Sequence, residues 1–188
     1  EGGAGADEIH GGSEWDTVDY SQSAGAVDVD LGSTDPQAGG DAQGDTFPDS
    51  DIEGLIGSSG DDTLTGSPAD NWIEGGPGAD AIDGADGWDN VGYGGSADPV
   101  NVDLATGTLT GGDAEGDTLV QIEGVSGSQG NDTLTGDAGE NWFEGLGGAD
   151  TIDGGDGFDN TDYSGSPAAV VVDLAAGTGS GGDAEGDT

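Results

Sequence analysis

Eight aspartates recur along this chain, each with a glycine five residues before it, and no Lys or Arg is present to balance them. Read in nines from Gly57, the sequence runs GSSGDDTLT, GSPADNWIE, GGPGADAID and GADGWDNVG. From Gly127 it runs GSQGNDTLT, GDAGENWFE, GLGGADTID and GGDGFDNTD, and GGAGADEIH from Gly2 with GGSEWDTVD from Gly11 completes ten units. The sixth place is Asp throughout except at Asn71 and Asn141. Glycine at the first, second and fourth places lets the backbone turn tightly and aim carbonyls inward. Carboxylate and carbonyl oxygens gathered in this way suit a hard divalent cation. Ca²⁺ accepts irregular shells of about six to eight oxygens, whereas Mg²⁺ demands a tight octahedron and transition metals favour His or Cys. With one His and no Cys in the chain, calcium is the expected ion.

The last three residues of a unit are enough for a short strand whose middle side chain faces one way. The eighth place supplies that residue: Ile9, Val18, Leu64, Ile73, Ile82, Val91, Leu134, Phe143 and Ile152, with Thr161 the exception. Two units then form one flattened coil of about 18 residues, turn–strand–turn–strand, and stacked coils set parallel strands about 4.8 Å apart. Units two apart share an edge, so Asp62 stacks with Asp80 and Asp132 with Asp150. Such columns of carboxylates repel one another severely without a counter-ion. The expected fold is all-β, a right-handed parallel β-roll (β-solenoid) of roughly ten coils and about 45–50 Å.

A period of 70 overlies the short one, relating Gly57 to Gly127, Leu104 to Leu174 and Asp117 to Asp187. It divides the chain into nonapeptide blocks at 2–19, 57–92 and 127–162, and intervening segments at 20–56, 93–126 and 163–188. The segments are expected to be degenerate coils of one continuous roll over 1–188, with a surface loop as the alternative. Val100 and Leu109 fall near the apolar phase, Asp98 falls in phase with Asp80, and GGDAEGDTL from Gly111 looks like a stretched glycine turn. The C-terminal GGDAEGDT breaks off inside a repeat, so the chain is expected to be a stretch of a longer array. Trp15, Trp88 and Phe158 share the fifth place of equivalent units, expected four coils apart, either shielding the core's flank or packing against another chain. Trp72 and Trp142 form a similar pair. Tyr20, Tyr93 and Tyr163, each following a block, are expected to be covers, and His10 an outward surface residue.

Composition narrows the function. The net charge is −41 with 43 Gly and 6 Pro in 188 residues, and only 30% of residues are hydrophobic. Without its period such a chain would be disordered. Its charge repels nucleic acid and anionic membranes, and no apolar run reaches the roughly 20 residues of a membrane span. A nucleophile–base pair is lacking, so no enzyme activity is expected. Salt adaptation alone would explain the acidity but not an Asp every nine residues.

The units resemble the RTX, or haemolysin-type, calcium-binding nonapeptide G-G-x-G-x-D-x-U-x. The resemblance implies that one turn gives the carbonyls of its second and fourth places and its Asp. The turn one coil later gives the carbonyls of its first and third places and its Asp. One site would use Ser58, Gly60 and Asp62 with Gly75, Pro77 and Asp80; a second would use Ser128, Gly130 and Asp132 with Gly145, Gly147 and Asp150. On the opposite edge Asn71 would face Gly84, Asp86 and Asp89, and Asn141 would face Gly154, Asp156 and Asp159, giving weaker or empty sites. The N-terminal block would contribute Gly3, Gly5, Asp7, Gly12 and Asp16. The resemblance further implies several stacked Ca²⁺ ions, type I secretion and folding outside the cell. Two functions follow: a structural length of a secreted or cell-surface protein (adhesin, surface layer or filament), or the accessory module of a secreted enzyme. Like chains packed laterally or end to end are the expected protein partners, with no nucleic acid and no membrane insertion.

Overall fold

The computed structural model describes residues 2–49 and 51–188. Its strands are β1 (Thr17–Asp19), β2 (Val27–Asp30), β3 (Ala38–Gly39), β4 (Gly54–Ile56), β5 (Thr63–Thr65), β6 (Trp72–Glu74), β7 (Ala81–Asp83), β8 (Asn90–Gly92) and β9 (Asn101–Asp103). They continue as β10 (Thr108–Thr110), β11 (Thr118–Val120), β12 (Gly124–Ser126), β13 (Thr133–Thr135), β14 (Trp142–Glu144), β15 (Thr151–Asp153), β16 (Asn160–Thr161), β17 (Val171–Asp173) and β18 (Thr178–Ser180). Three 3₁₀ turns, Gly40–Ala42, Gly112–Ala114 and Gly182–Ala184, are the only helical elements among the described residues. The chain forms two compact units, Glu1–Val91 with Gly116–Ile122, and Gly92–Glu115 with Glu123–Thr188.

In the first unit, β1, β4, β6 and β8 lie side by side in one sheet, and β2, β5, β7 and β11 in another. Within the nonapeptide block the pairing is parallel between residues 18 apart, Ile73 on Val91 and Leu64 on Ile82, and Leu55 just ahead of the block pairs with Ile73 at the same spacing. Each strand is short because a glycine turn interrupts it every nine residues, and its central residue is the buried one. Val18, Leu55, Ile73 and Val91 of one sheet and Val29, Leu64 and Ile82 of the other are at most 2% exposed. The eighth-place residues Val18, Leu64, Ile73, Ile82 and Val91 thus build most of this core, and Val29, Leu31, Phe47 and Leu55 of the intervening segment extend it.

The second unit repeats the plan. β12, β14 and β16 form one parallel set, and β9, β13 and β15 another, with Leu134 set on Ile152 and Val102 on Leu134. Val125, Leu134 and Phe143 are buried.

The intervening segments contain antiparallel pairs: β2 with β3, β9 with β10, and β17 with β18. Each pair leads into one of the 3₁₀ turns. Because β1 pairs directly with β4, residue 17 on residue 54, segment 20–56 adds no further strand between them. Trp15 and Trp88, just ahead of β1 and β8, are consequently three pairings apart rather than four. Trp15 is 60% and Phe158 82% exposed, so neither lies buried against the flank of the core. Val102, not Val100, sits at the centre of β9, and Leu109 pairs with it. β2 and β9 are each covered by a nonapeptide strand, β5 and β13, leaving Val29 and Val102 at 1% and 0% exposure. Among the described residues β17 pairs with β18 alone, and Val171 and Leu174 are 67% and 84% exposed.

Candidate metal centre

The turn between β4 and β5 ends at Asp62, and the turn between β6 and β7 ends at Asp80; both side chains are at most 2% exposed. Parallel stacking brings them together: the Asp62 main-chain N–H donates to Asp80 Oδ1 at 2.8 Å. Around them the turns present main-chain oxygens. A methyl group on Gly76, whose φ is +87°, would lie 2.5 Å from the Ser58 carbonyl oxygen. One on Gly78 would lie 2.5 Å from that of Gly60, and one on Gly57 would lie 2.5 Å from that of Gly75 and 2.6 Å from Asp62 Oδ2. Any side chain at these glycines would fill the space into which the oxygens point. The structure thus gathers Ser58, Gly60, Asp62, Gly75 and Asp80 at one place, while Pro77 stays assigned by the resemblance alone.

The second unit reproduces the arrangement. The Asp132 N–H donates to Asp150 Oδ1 at 2.9 Å, and both residues are buried. Side chains on Gly127 and Gly148 would meet the carbonyls of Gly145 and Gly130. Ser128 stands as Ser58 does, its N–H and hydroxyl both on the following Asp. The Gly147 carbonyl, like that of Pro77, rests on the resemblance.

One atom in each unit carries the electrostatic argument. Asp80 Oδ2 and Asp150 Oδ2 are buried and accept no hydrogen bond among the described residues. Burial pushes each of these carboxyls up to about 7; the N–H of Asp62 or Asp132 pulls down against it, and Asp117 or Asp187 adds to the rise. A buried carboxylate oxygen without a donor is costly unless a cation meets it. No group of three or more His, Cys, Asp or Glu arranged to hold a metal occurs among the described residues. The converging oxygens are instead two carboxylates and several carbonyls, a donor set that fits calcium and suits neither zinc nor copper.

On the opposite edge asparagine stands where the other edge has its first aspartate. Asn71 and Asn141 donate their N–H groups to Oδ1 of Asp89 and Asp159, at 2.7 and 3.0 Å. Their amide oxygens accept from Ser67 and Asp137 N–H, and their Nδ2 groups donate to the Glu53 and Glu123 carbonyls at 3.2 and 3.3 Å. The amide thereby links adjacent strands by itself. Gly84 and Gly154 lie against Asp89 and Asp159, whereas the Asp86 and Asp156 side chains point to solvent. In the N-terminal block Asp7 N–H donates to Asp45, Asp16 N–H to Glu53, and Gly12 N–H to Asp51. Gly3 and Gly5 have open space beside them. His10 is exposed and bonded to Asp49 and Glu8, whose carboxylates raise its pKa.

Sequence reasoning missed a third member of each column. Asp117, not Asp98, stacks on Asp80, accepting its N–H through Oδ1 at 2.8 Å, and Asp187 does the same for Asp150 at 2.9 Å. Asp98 is exposed. The signal was present in the stretched turn GGDAEGDT, whose extra residue moves the aspartate from the sixth place to the seventh.

A family model for the RTX calcium-binding nonapeptide repeat (4 copies) matches residues 1–22, 56–98 and 126–160, more than half of the chain. The chain belongs to this family, whose repeats are structural calcium-binding elements typical of secreted proteins. A search of curated proteins finds no match.

Proposed function

We propose that the chain is a calcium-folded structural segment of a secreted or cell-surface protein, such as an adhesin, a surface layer or an extracellular filament. Its fold on this reading is a right-handed parallel β-roll of 18-residue coils with calcium between successive turns. The observation that supports it best is the donorless, buried oxygen on Asp80 and on Asp150, set among inward carbonyls in a chain without Lys or Arg.

Ser58, Gly60, Asp62, Gly75 and Asp80 would hold one ion, and Ser128, Gly130, Asp132, Gly145 and Asp150 another, with Pro77 and Gly147 completing the shells. Bound there, calcium supplies the positive charge that offsets paired carboxylates. The chain's own part is to hold the turns: Ser58 and Ser128 fix Asp62 and Asp132, while the Asp62 and Asp132 N–H groups fix Asp80 and Asp150. With these sites empty, repulsion and glycine entropy favour the unfolded chain. Extracellular calcium modules work at about 10⁻⁴–10⁻³ M, so the chain stays extended in the cytoplasm, crosses by type I secretion and folds outside. The repeating lattice of carboxylates serves ligation, not catalysis. Among the described residues no helix is long and apolar enough to cross a membrane.

Small-angle scattering tests this reading. Adding millimolar calcium should contract the radius of gyration from about 45 Å, expected of an unfolded chain of this length, towards roughly 16 Å for a compact one. A compact chain in the presence of a calcium chelator would refute it.

A further inference from the structure

The GGDAxGDT turns, which lie outside the matched repeats, stand where the carboxylate columns continue, yet they are built differently. Asp45 accepts the Asp7 N–H on Oδ1 at 3.0 Å and the Tyr20 hydroxyl on Oδ2 at 2.8 Å. Asp187, in the other unit, accepts the Asp150 N–H on Oδ1 at 2.9 Å and the Tyr163 hydroxyl on Oδ2 at 2.7 Å. Both aspartates are at most 4% exposed. The two occurrences are independent copies of one arrangement.

The carbonyls of these turns are also occupied. In the C-terminal copy Gly181 O accepts Ala184 N–H, Gly182 O accepts Glu185 N–H, and Ala184 O accepts Asp187 N–H, at 3.1, 3.3 and 3.4 Å. Glu185 folds back onto Gly181 N–H, and Asp183 N–H is held by Ser166 Oγ. In the first copy Ala42 O accepts Asp45 N–H, and Asp41 N–H is held by Ser23 Oγ. A nonapeptide turn does the reverse. Asp62 and Asp132 are also hydrogen bonded, but the Ser58, Gly60 and Gly130 carbonyls beside them accept no main-chain N–H among the described residues. A 3₁₀ turn that consumes its carbonyls internally leaves a cation too few oxygens.

We propose that Tyr20–Asp45 and Tyr163–Asp187 are metal-free closing tiers, in which a tyrosine hydroxyl holds the carboxylate where neighbouring tiers use calcium, so that each ion column ends there. The proposal rests on the calcium reading above and deepens it. It gives the 70-residue period a role: the array is divided into short calcium-folding blocks, each sealed by a Tyr–Asp pair. Tyr20 and Tyr163 are positioning residues, acting on calcium only through the aspartates they hold.

The test counts bound ions by equilibrium dialysis against ⁴⁵Ca²⁺ in the whole chain, with circular dichroism confirming the fold. Asp→Asn keeps shape and removes charge, so Asp187→Asn and Asp45→Asn are compared with Asp150→Asn and Asp80→Asn. The closing tiers predict an unchanged ion count for Asp187→Asn and Asp45→Asn, with a calcium midpoint within about twofold of the parent. Asp150→Asn and Asp80→Asn should each lose at least one ion or raise the midpoint about tenfold or more, as expected for loss of a charged ligand. Loss of an ion in Asp187→Asn or Asp45→Asn overturns the proposal while leaving the calcium reading intact. Unchanged counts in Asp150→Asn and Asp80→Asn overturn the calcium reading and the proposal with it.

Discussion

At the scale of the residue, Asp80 and Asp150 each combine a buried oxygen that no donor among the described residues reaches with a carboxyl pushed up to about 7 by burial. Replacing either by Ala should raise the calcium midpoint of folding about tenfold or more. Asp156→Ala, whose side chain is exposed and whose expected contribution is its carbonyl, should stay within about twofold. Far-ultraviolet dichroism against calcium concentration distinguishes them. Acidity acts on the same atoms. Both carboxyls sit at about 7 in the metal-free fold against an ordinary 3.8, so between those values the folded chain holds protons that the unfolded chain does not. Stability of the metal-free fold therefore falls as pH rises from about 4 through 7. Calcium must displace those protons, so its midpoint should be higher at pH 5 than at pH 8, while the metal-free chain at pH 5 should be closer to folding. Calcium titrations at the two pH values read both signs, and a midpoint independent of pH would contradict the placement of Asp80 and Asp150. The aspartates of the nonapeptides were legible from spacing alone. Asp45, Asp117 and Asp187 were not, because their register with Asp7, Asp80 and Asp150 arises from how a whole segment folds between them.

At the scale of the element, the glycine turn and three-residue strand explain why so little apolar sequence makes a core. Six of the ten units have a positive φ at the second place, and two of those six hold no glycine there: Ala85 and Leu146 have φ of 72° and 63°, whereas Ser58, Ser67, Ser128 and Asp137 at the same place do not adopt it. A left-handed residue other than glycine costs about 1–2 kcal/mol. Ala85→Gly and Leu146→Gly should therefore raise the thermal midpoint of the calcium-loaded chain or leave it unchanged, despite adding freedom to the unfolded state. A clear fall in either variant would show that the turn is not strained. In the opposite direction, Gly148→Ala puts a methyl group against the Gly130 carbonyl at a φ of +135° and should abolish folding at millimolar calcium. The period of nine revealed which residues pair 18 apart within blocks, such as Leu64 with Ile82. It could not reveal the hairpins. The antiparallel return of β10 onto β9 depends on the turn between Asp103 and Thr108, where nonapeptide phase no longer governs the chain.

At the scale of the whole molecule, a charge of −41 without one Lys or Arg sets the terms. Repulsion between carboxylates opposes every compact state, and 30% hydrophobic residues cannot outweigh it alone. Simple screening by salt acts over about 10 Å at 0.1 M and weakens surface repulsion, but it cannot enter a buried turn to meet Asp80 Oδ2. Magnesium carries the same charge as calcium yet gives up its water reluctantly and needs a regular octahedron. Charge neutralisation and specific ligation therefore make different predictions for the three ions. The most direct measurement is far-ultraviolet circular dichroism of the chain titrated with calcium, magnesium and sodium chloride in turn. Specific ligation predicts a cooperative coil-to-sheet transition near millimolar calcium, little change with equal magnesium, and none with sodium chloride at matched ionic strength. Folding in sodium chloride without calcium would contradict it, because the buried carboxylates would then need no ion.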